Sequence, residues 1–129
     1  MSLLLLVCGC SAKADIKEAG KAVDQFHQQM SAGEYDAIYD SATNSFRAAG
    51  SRNEMQEFLK RVNRKMGACT DARQKHWNIN ATTSGRFIQL GYIRKCANGD
   101  LQELFVWKME NGRPALQGYN VTSPLLLAD

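Results

Sequence analysis

Arg94, Glu103 and Asn120 are the residues whose types and predicted spacing could do chemistry. Asn98-Gly99 and Asn111-Gly112 each sit between strand-like runs. A two-residue type I′ turn needs positive φ at both central positions, which Asn tolerates and Gly adopts freely. With such turns, Arg94 faces Glu103 and Glu103 faces Asn120, gathering a cation, a carboxylate and an amide on one sheet face. That group could bind a polar ligand or, with a raised carboxyl pKa, transfer a proton. As a purely structural cross-strand pair it would contribute only about 0.2–1 kcal/mol. Tyr35, Tyr39 and Tyr92 can bring hydroxyls to the same cavity, although tyrosine is first of all an amphipathic core residue.

Other chemistries find little support. His27 and His76 are far apart and have no carboxylates or thiolates at ligand spacing, whereas zinc needs three or four ligands in register. His27 shares a helix with Asp24 and is expected at the surface. There is no nucleophile elbow and no Gly-rich phosphate loop. No catalytic residue, metal or cofactor is therefore assigned. Eight basic and three acidic residues lie between Arg47 and Lys75. They read as a solvated helix face, or as a surface drawn to anionic headgroups at about 1 kcal/mol per cation.

The elements that must position these residues follow from periodicity. Ile16, Ala19, Val23, Phe26 and Met30 recur at helical steps, started by Asp15 and ended near Gly33. Glu34 to Ala42 reads as a second, shorter helix, and Thr43 to Gly50 as a loop with Phe46 tucked under the core. Ser51-Arg52-Asn53-Glu54 is a capping box opening a third helix, whose stripe is Met55, Phe58, Leu59, Val62 and Met66, with Gly67 as C-cap. Gln74 to Thr83 alternates as a first strand and turns at Ser84-Gly85. Arg86 to Ser123 then holds three strands. The predicted register sets Tyr92 opposite Phe105, Leu90 opposite Trp107, Trp107 opposite Leu116 and Phe105 opposite Gly118. The other face carries Ile93, Leu104, Val106, Tyr119 and Val121, too apolar to be wholly solvated and able to form a dimer interface.

A chain of 129 residues with net charge +3 supports one domain with a genuine core and does not argue for nucleic acid. Leu3 to Val7 is apolar and leads into Val7-Cys8-Gly9-Cys10. This resembles the lipobox at the end of a bacterial lipoprotein signal peptide, which implies cleavage before Cys10 and a lipid on that residue. No Lys or Arg precedes the apolar run, so the charged start of such a leader is missing and Met1-Ser2-Leu3 reads as a replacement start. Ser11 after the cysteine points to the outer membrane, on the periplasmic side of the cell envelope. Residues 1–14 are then leader remnant and tether, and residues 15–129 a single domain. In an exported domain the remaining pair, Cys69 and Cys96, reads as a disulfide; the alternative is two free buried thiols.

Three helices on one face of a curved four-stranded antiparallel sheet make an α+β fold. The order resembles the cystatin-like, or nuclear-transport-factor-2-like, superfamily, in which an N-terminal helix lies in the concave face of the sheet. More narrowly it resembles a family of small bacterial lipoproteins of unknown function. The resemblance rests on Gly33-Glu34-Tyr35-Asp36, Gly91-Tyr92, the run Glu103 to Lys108, and Gly118-Tyr119. It implies a cone between helix and sheet in which polar residues do the work, but fold alone assigns no function. Three readings follow: a non-enzymatic, lipid-anchored envelope module binding a small ligand or another envelope protein, a small enzyme using a proton-transfer pair in the cone, and a dimeric scaffold.

Overall fold

The structure, a computed structural model, describes residues 7–127, with side chains from residue 12 onward. The thiol of Cys10 and most of the apolar run before it, on which the lipid expectation falls, lie outside the described residues. The described chain runs α1 (Val7–Ala32), α2 (Tyr35–Asp40), α3 (Asn44–Ala49), α4 (Arg52–Met66), β1 (Cys69–Thr82), β2 (Gly85–Cys96), β3 (Gly99–Glu110), β4 (Arg113–Thr122) and α5 (Pro124–Leu127). The strands form one antiparallel sheet in the order β1-β2-β3-β4. Among the described residues, no helix is long and apolar enough to cross a membrane.

Helix α1 buries its expected stripe of Ala19, Val23, Phe26 and Met30. It continues through Ser11–Asp15, where a tether was expected. Ser11-Ala12-Lys13-Ala14 contains neither Gly nor Pro to stop it, and Asp15 is held by Arg86 Nε at 2.6 Å. The helix ends at Gly33, whose φ of +72° suits glycine. Helix α4 opens with the predicted reciprocal cap: Glu54 N–H donates to Ser51 Oγ and Ser51 N–H to Glu54 Oε1, both at 3.1 Å. The segment read as a loop holds the single-turn helix α3, because Thr43 Oγ1 accepts from the amide of Phe46. The short C-terminal α5 was not anticipated either.

Strand β1 begins at Cys69 rather than Gln74. Cys69 pairs with Cys96 across the ladder, and the two form the disulfide, with sulfurs 2.00 Å apart. The turn at Asn111-Gly112 is as predicted, with φ of 53° and 77° and Glu110 opposite Arg113. The turn after β2 differs. Its two loop residues are Ala97-Asn98, and Cys96 pairs with Gly99. The cause is tertiary: Ala97 N–H donates to Ala68 O at 2.8 Å, Asn98 N–H to Met66 O at 3.0 Å and Asn98 Nδ2 to Lys65 O at 3.0 Å. The turn is thus docked on the end of α4, and the register moves by two residues. Faces are preserved, but Tyr92 now lies opposite Glu103, and Arg94 opposite Leu101.

A second departure matters more. The β3–β4 ladder is regular to Trp107–Leu116, then passes to Val106–Gly118, leaving Gln117 as an extra residue. One added residue turns everything beyond it to the opposite face. Tyr119 is therefore buried opposite Phe105. Val121, opposite Glu103, packs against the core, and Asn120 faces away. Of the five residues expected on the outer face, Ile93, Leu104 and Val106 remain there.

Candidate functional site

The space between α1 and the sheet is largely filled by aromatic rings, with a pocket of about 130 Å3 left where Ala22 and Phe26 meet Ile38, Trp107 and Leu116. Phe26 of α1 meets Phe105 edge-on at 5.0 Å and Tyr119 at 4.6 Å between ring centroids. Tyr92 flanks Phe105 at 5.9 Å, and Trp107 stacks on it at 5.8 Å. These rings exclude water, and a polar group among them must find partners.

Glu103 finds two. Its carboxylate is 1% exposed; Tyr119 donates its hydroxyl to Oε2 at 2.6 Å, and His27 Nε2 lies 2.7 Å from Oε1. An ionised Glu103 makes both neighbours donors, and donors to a carboxylate form the stronger class of hydrogen bond. His27, expected at the surface, is buried against Phe105 at 5.8 Å between ring centroids. Its position carried a signal. It lies four residues after Val23 and three before Met30, on the same helical stripe.

Arg94, the expected partner of Glu103, is not paired with it. After the two-residue register change its guanidinium reaches Cys69 O from Nη2 at 3.5 Å, and its Nε is buried without a hydrogen-bond partner among the described residues. Asn120 makes no hydrogen bond to Glu103, because the Gln117 bulge turns it away, although atoms of Tyr92, Glu103 and Asn120 line a common depression of about 430 Å3. Tyr35 accepts from Asn63 Nδ2 at 2.7 Å and ties α2 to α4. Tyr92 sits by the seam between α1 and β1, its hydroxyl 3.4 Å from Gln74 Oε1. Tyr39 shares its hydroxyl proton between Arg47 O and Gly50 O, at 3.1 and 3.0 Å.

Tyr92 and Tyr119 are poor proton-transfer groups. Burial, then the charges of Asp24 and Glu103, pushes Tyr92 up to about 12. Burial and Glu103 push Tyr119 well above its usual range. Efficient acid–base catalysis near neutrality asks for the opposite displacement. The buried trio of His27, Glu103 and Tyr119 braces α1 against β3 and β4.

An opening exists beside the brace. A cleft of about 500 Å3 lies between α3, α4 and β4. Phe46, Met55, Phe58 and Tyr119 supply its apolar lining, while Ser45, Gln117 and Asn120 supply polar atoms. Tyr119 belongs to both features: its ring faces Phe58 at 6.3 Å and its hydroxyl holds Glu103. Phe58 is 37% exposed, unusual for a large apolar side chain on a helix. The cleft exists because of two local events. The bulge leaves Gln117 free to accept from Thr43 Oγ1 at 2.7 Å, and Thr43 N–H donates to Leu116 O at 2.9 Å. Together these anchor α3 at the edge of β4.

Of the residues singled out from sequence, Tyr39 and Asn120 line this cleft, Glu103 lies behind it, and Tyr35, Tyr92 and Arg94 are elsewhere. The sequence pattern marks Phe46, Met55 and Phe58 only as core positions. Among the described residues, no cluster of three His, Cys, Asp or Glu side chains could hold a metal. Compared with protein-family models and with curated proteins, the chain matches neither a family nor a relative.

Proposed function

We propose that this domain is a non-enzymatic binding module whose α3–α4–β4 cleft takes one small, largely apolar molecule. The observation that supports the reading is the contrast between the space under α1, where only about 130 Å3 is left open, and the larger aromatic-lined cleft beside it. Its volume of about 500 Å3 falls in the range of ordinary ligand pockets. The ligand's charge follows from the lining. Glu54 is its one ionisable acid, and no Lys, Arg or His contributes. A neutral or cationic molecule fits this wall, and a free carboxylate or phosphate does not.

In this reading Cys10 carries a lipid that holds the module at the periplasmic side of the envelope. Comparing membrane fractions of the native gene with a Cys10→Ala variant tests the anchor separately. The cleft is tested with Nile red, a neutral apolar dye, titrated into the purified chain. Saturable fluorescence that is lost in Phe58→Asp supports the site. Binding unchanged by Phe58→Asp removes it, since Phe58 is exposed enough to be replaced without unfolding the domain.

A further inference from the structure

The two edges of the sheet are treated differently. An exposed strand edge presents unpaired backbone groups and is a template for another strand, so proteins blunt edges with charges, bulges, proline or covering segments. Edge β4 has all of these: Arg113, Pro114, the Gln117 bulge, and Thr43 donating to the Leu116 carbonyl at 2.9 Å. The first half of edge β1 is blunted as well. It carries Asp71, Arg73 and Lys75, and both irregularities of the β1–β2 ladder fall within it, at Cys69/Asp71 and Gln74/His76.

The second half of β1 has none of these devices. His76 to Thr82 is a run of seven residues, His-Trp-Asn-Ile-Asn-Ala-Thr, with no acidic, Lys, Arg or Pro residue. It pairs without interruption to β2 on its inner side and, among the described residues, has no strand beyond it. It is almost wholly exposed, with Trp77 at 56%. At about 3.3 Å per residue it offers roughly 23 Å of straight edge.

We propose that this edge pairs with the same edge of a second copy, antiparallel about Ile79, joining two four-stranded sheets into one. The run is self-complementary in that register, as a two-fold interface must be. Ile79 lies opposite Ile79 of the partner subunit, and Trp77 opposite Ala81 of the partner subunit, setting a large ring over a small residue. On the other face Asn78 lies opposite Asn80 of the partner subunit, and two amides can exchange hydrogen bonds. Lys75 falls opposite Thr83 of the partner subunit, and Arg73 lies further out, so no like charges meet. Strand addition gives affinity through backbone hydrogen bonds and specificity through alternate side chains. The placement of Trp77 and Ala81, and of Asn78 and Asn80, symmetrically about Ile79 favours a second copy over an unrelated strand.

Sedimentation velocity of the full chain over a concentration series tests the proposal, with two double variants at exposed positions. Trp77→Lys/Ala81→Lys sets like charges opposite each other twice, and Trp77→Lys/Ala81→Glu sets opposite charges there. The expected result is a concentration-dependent dimer for the natural sequence and loss of the dimer in the Lys/Lys variant. The Lys/Glu variant should recover a dimer that weakens with added salt. Far-ultraviolet circular dichroism checks that both variants fold. A natural chain that stays monomeric throughout overturns the proposal. So does a Lys/Lys variant that dimerises as before, which would move the interface to another surface such as Ile93, Leu104 and Val106. A Lys/Glu variant that remains monomeric overturns pairing about Ile79.

Discussion

Replacing Tyr119 by Phe removes one oxygen and tests whether the buried brace holds the fold. The ring packs on Phe26 and Phe105 at 4.6 and 5.0 Å, and Phe keeps those contacts. What is lost is the 2.6 Å hydrogen bond to Glu103 Oε2. A carboxylate with 1% exposure cannot recover that donor from solvent, so the cost is that of a charged acceptor left short of a partner, about 1.5–3 kcal/mol. With a urea m-value near 2 kcal/mol/M for a domain of this size, the unfolding midpoint should fall by about 1 M. Glu103→Leu should cost at least as much, since it strands the Tyr119 hydroxyl and His27 Nε2 together. The double variant Glu103→Leu/Tyr119→Phe should then be less damaging than the sum, because the second change removes a group already without a partner. A Tyr119→Phe midpoint within about 0.5 kcal/mol of the natural protein, or strict additivity in the double variant, would refute the brace.

Tyr92 makes stability pH-dependent on the alkaline side. Its folded pKa of about 12 exceeds the unfolded value near 10, so its contribution is complete below pH 10 and is lost as pH rises from about 10 to 12. Two units set a ceiling near 2.7 kcal/mol, and about 1–2 kcal/mol is expected because the hydroxyl reaches toward exposed Gln74. Tyr92→Phe should flatten this part of the midpoint-versus-pH curve, and an unchanged slope would show that another group is responsible. The disulfide spans 27 residues of sequence, and in the chain-entropy model its reduction should cost about 3.5 kcal/mol. Denaturation with and without a phosphine reductant measures this, and a difference below about 1 kcal/mol would mean that the reduced chain is already restrained.

Local patterns with local causes were legible in the chain. The stripe of α1, the capping box of α4, the Asn111-Gly112 turn and the α+β order all follow from residues within a few positions of one another. Features decided by distant contacts were not. Asn98-Gly99 has the composition of a type I′ turn, but two amides and one side chain bonded to the end of α4 and to Ala68 just after it move the loop to Ala97-Asn98. The bulge at Gln117 had a faint sequence mark, since an isolated Gly inside a strand, here Gly118, often signals one. Missing it reversed Tyr119 and Asn120 and built the candidate site around the wrong partner for Glu103. His27 was misplaced for another reason: polarity was weighed above its position on the buried stripe.

The buried carboxylate and the open cleft belong to one arrangement. A buried Glu costs free energy unless it is paired, and replacing the whole trio by well-packed apolar side chains would often serve stability as well. What Glu103 adds is direction. By taking the Tyr119 hydroxyl on one oxygen and His27 on the other, it fixes the angle at which the Tyr119 ring forms part of the cleft wall. That angle is reinforced from the far side by Phe26 and Phe105, and Gln117 determines that Tyr119 points inward at all. A wall held by three elements does not have to be ordered when a ligand arrives, and removing that ordering cost is how a small cleft gains affinity. In the proposed binding module, the polar trio under α1 would serve recognition by holding the aromatic surface beside it in place.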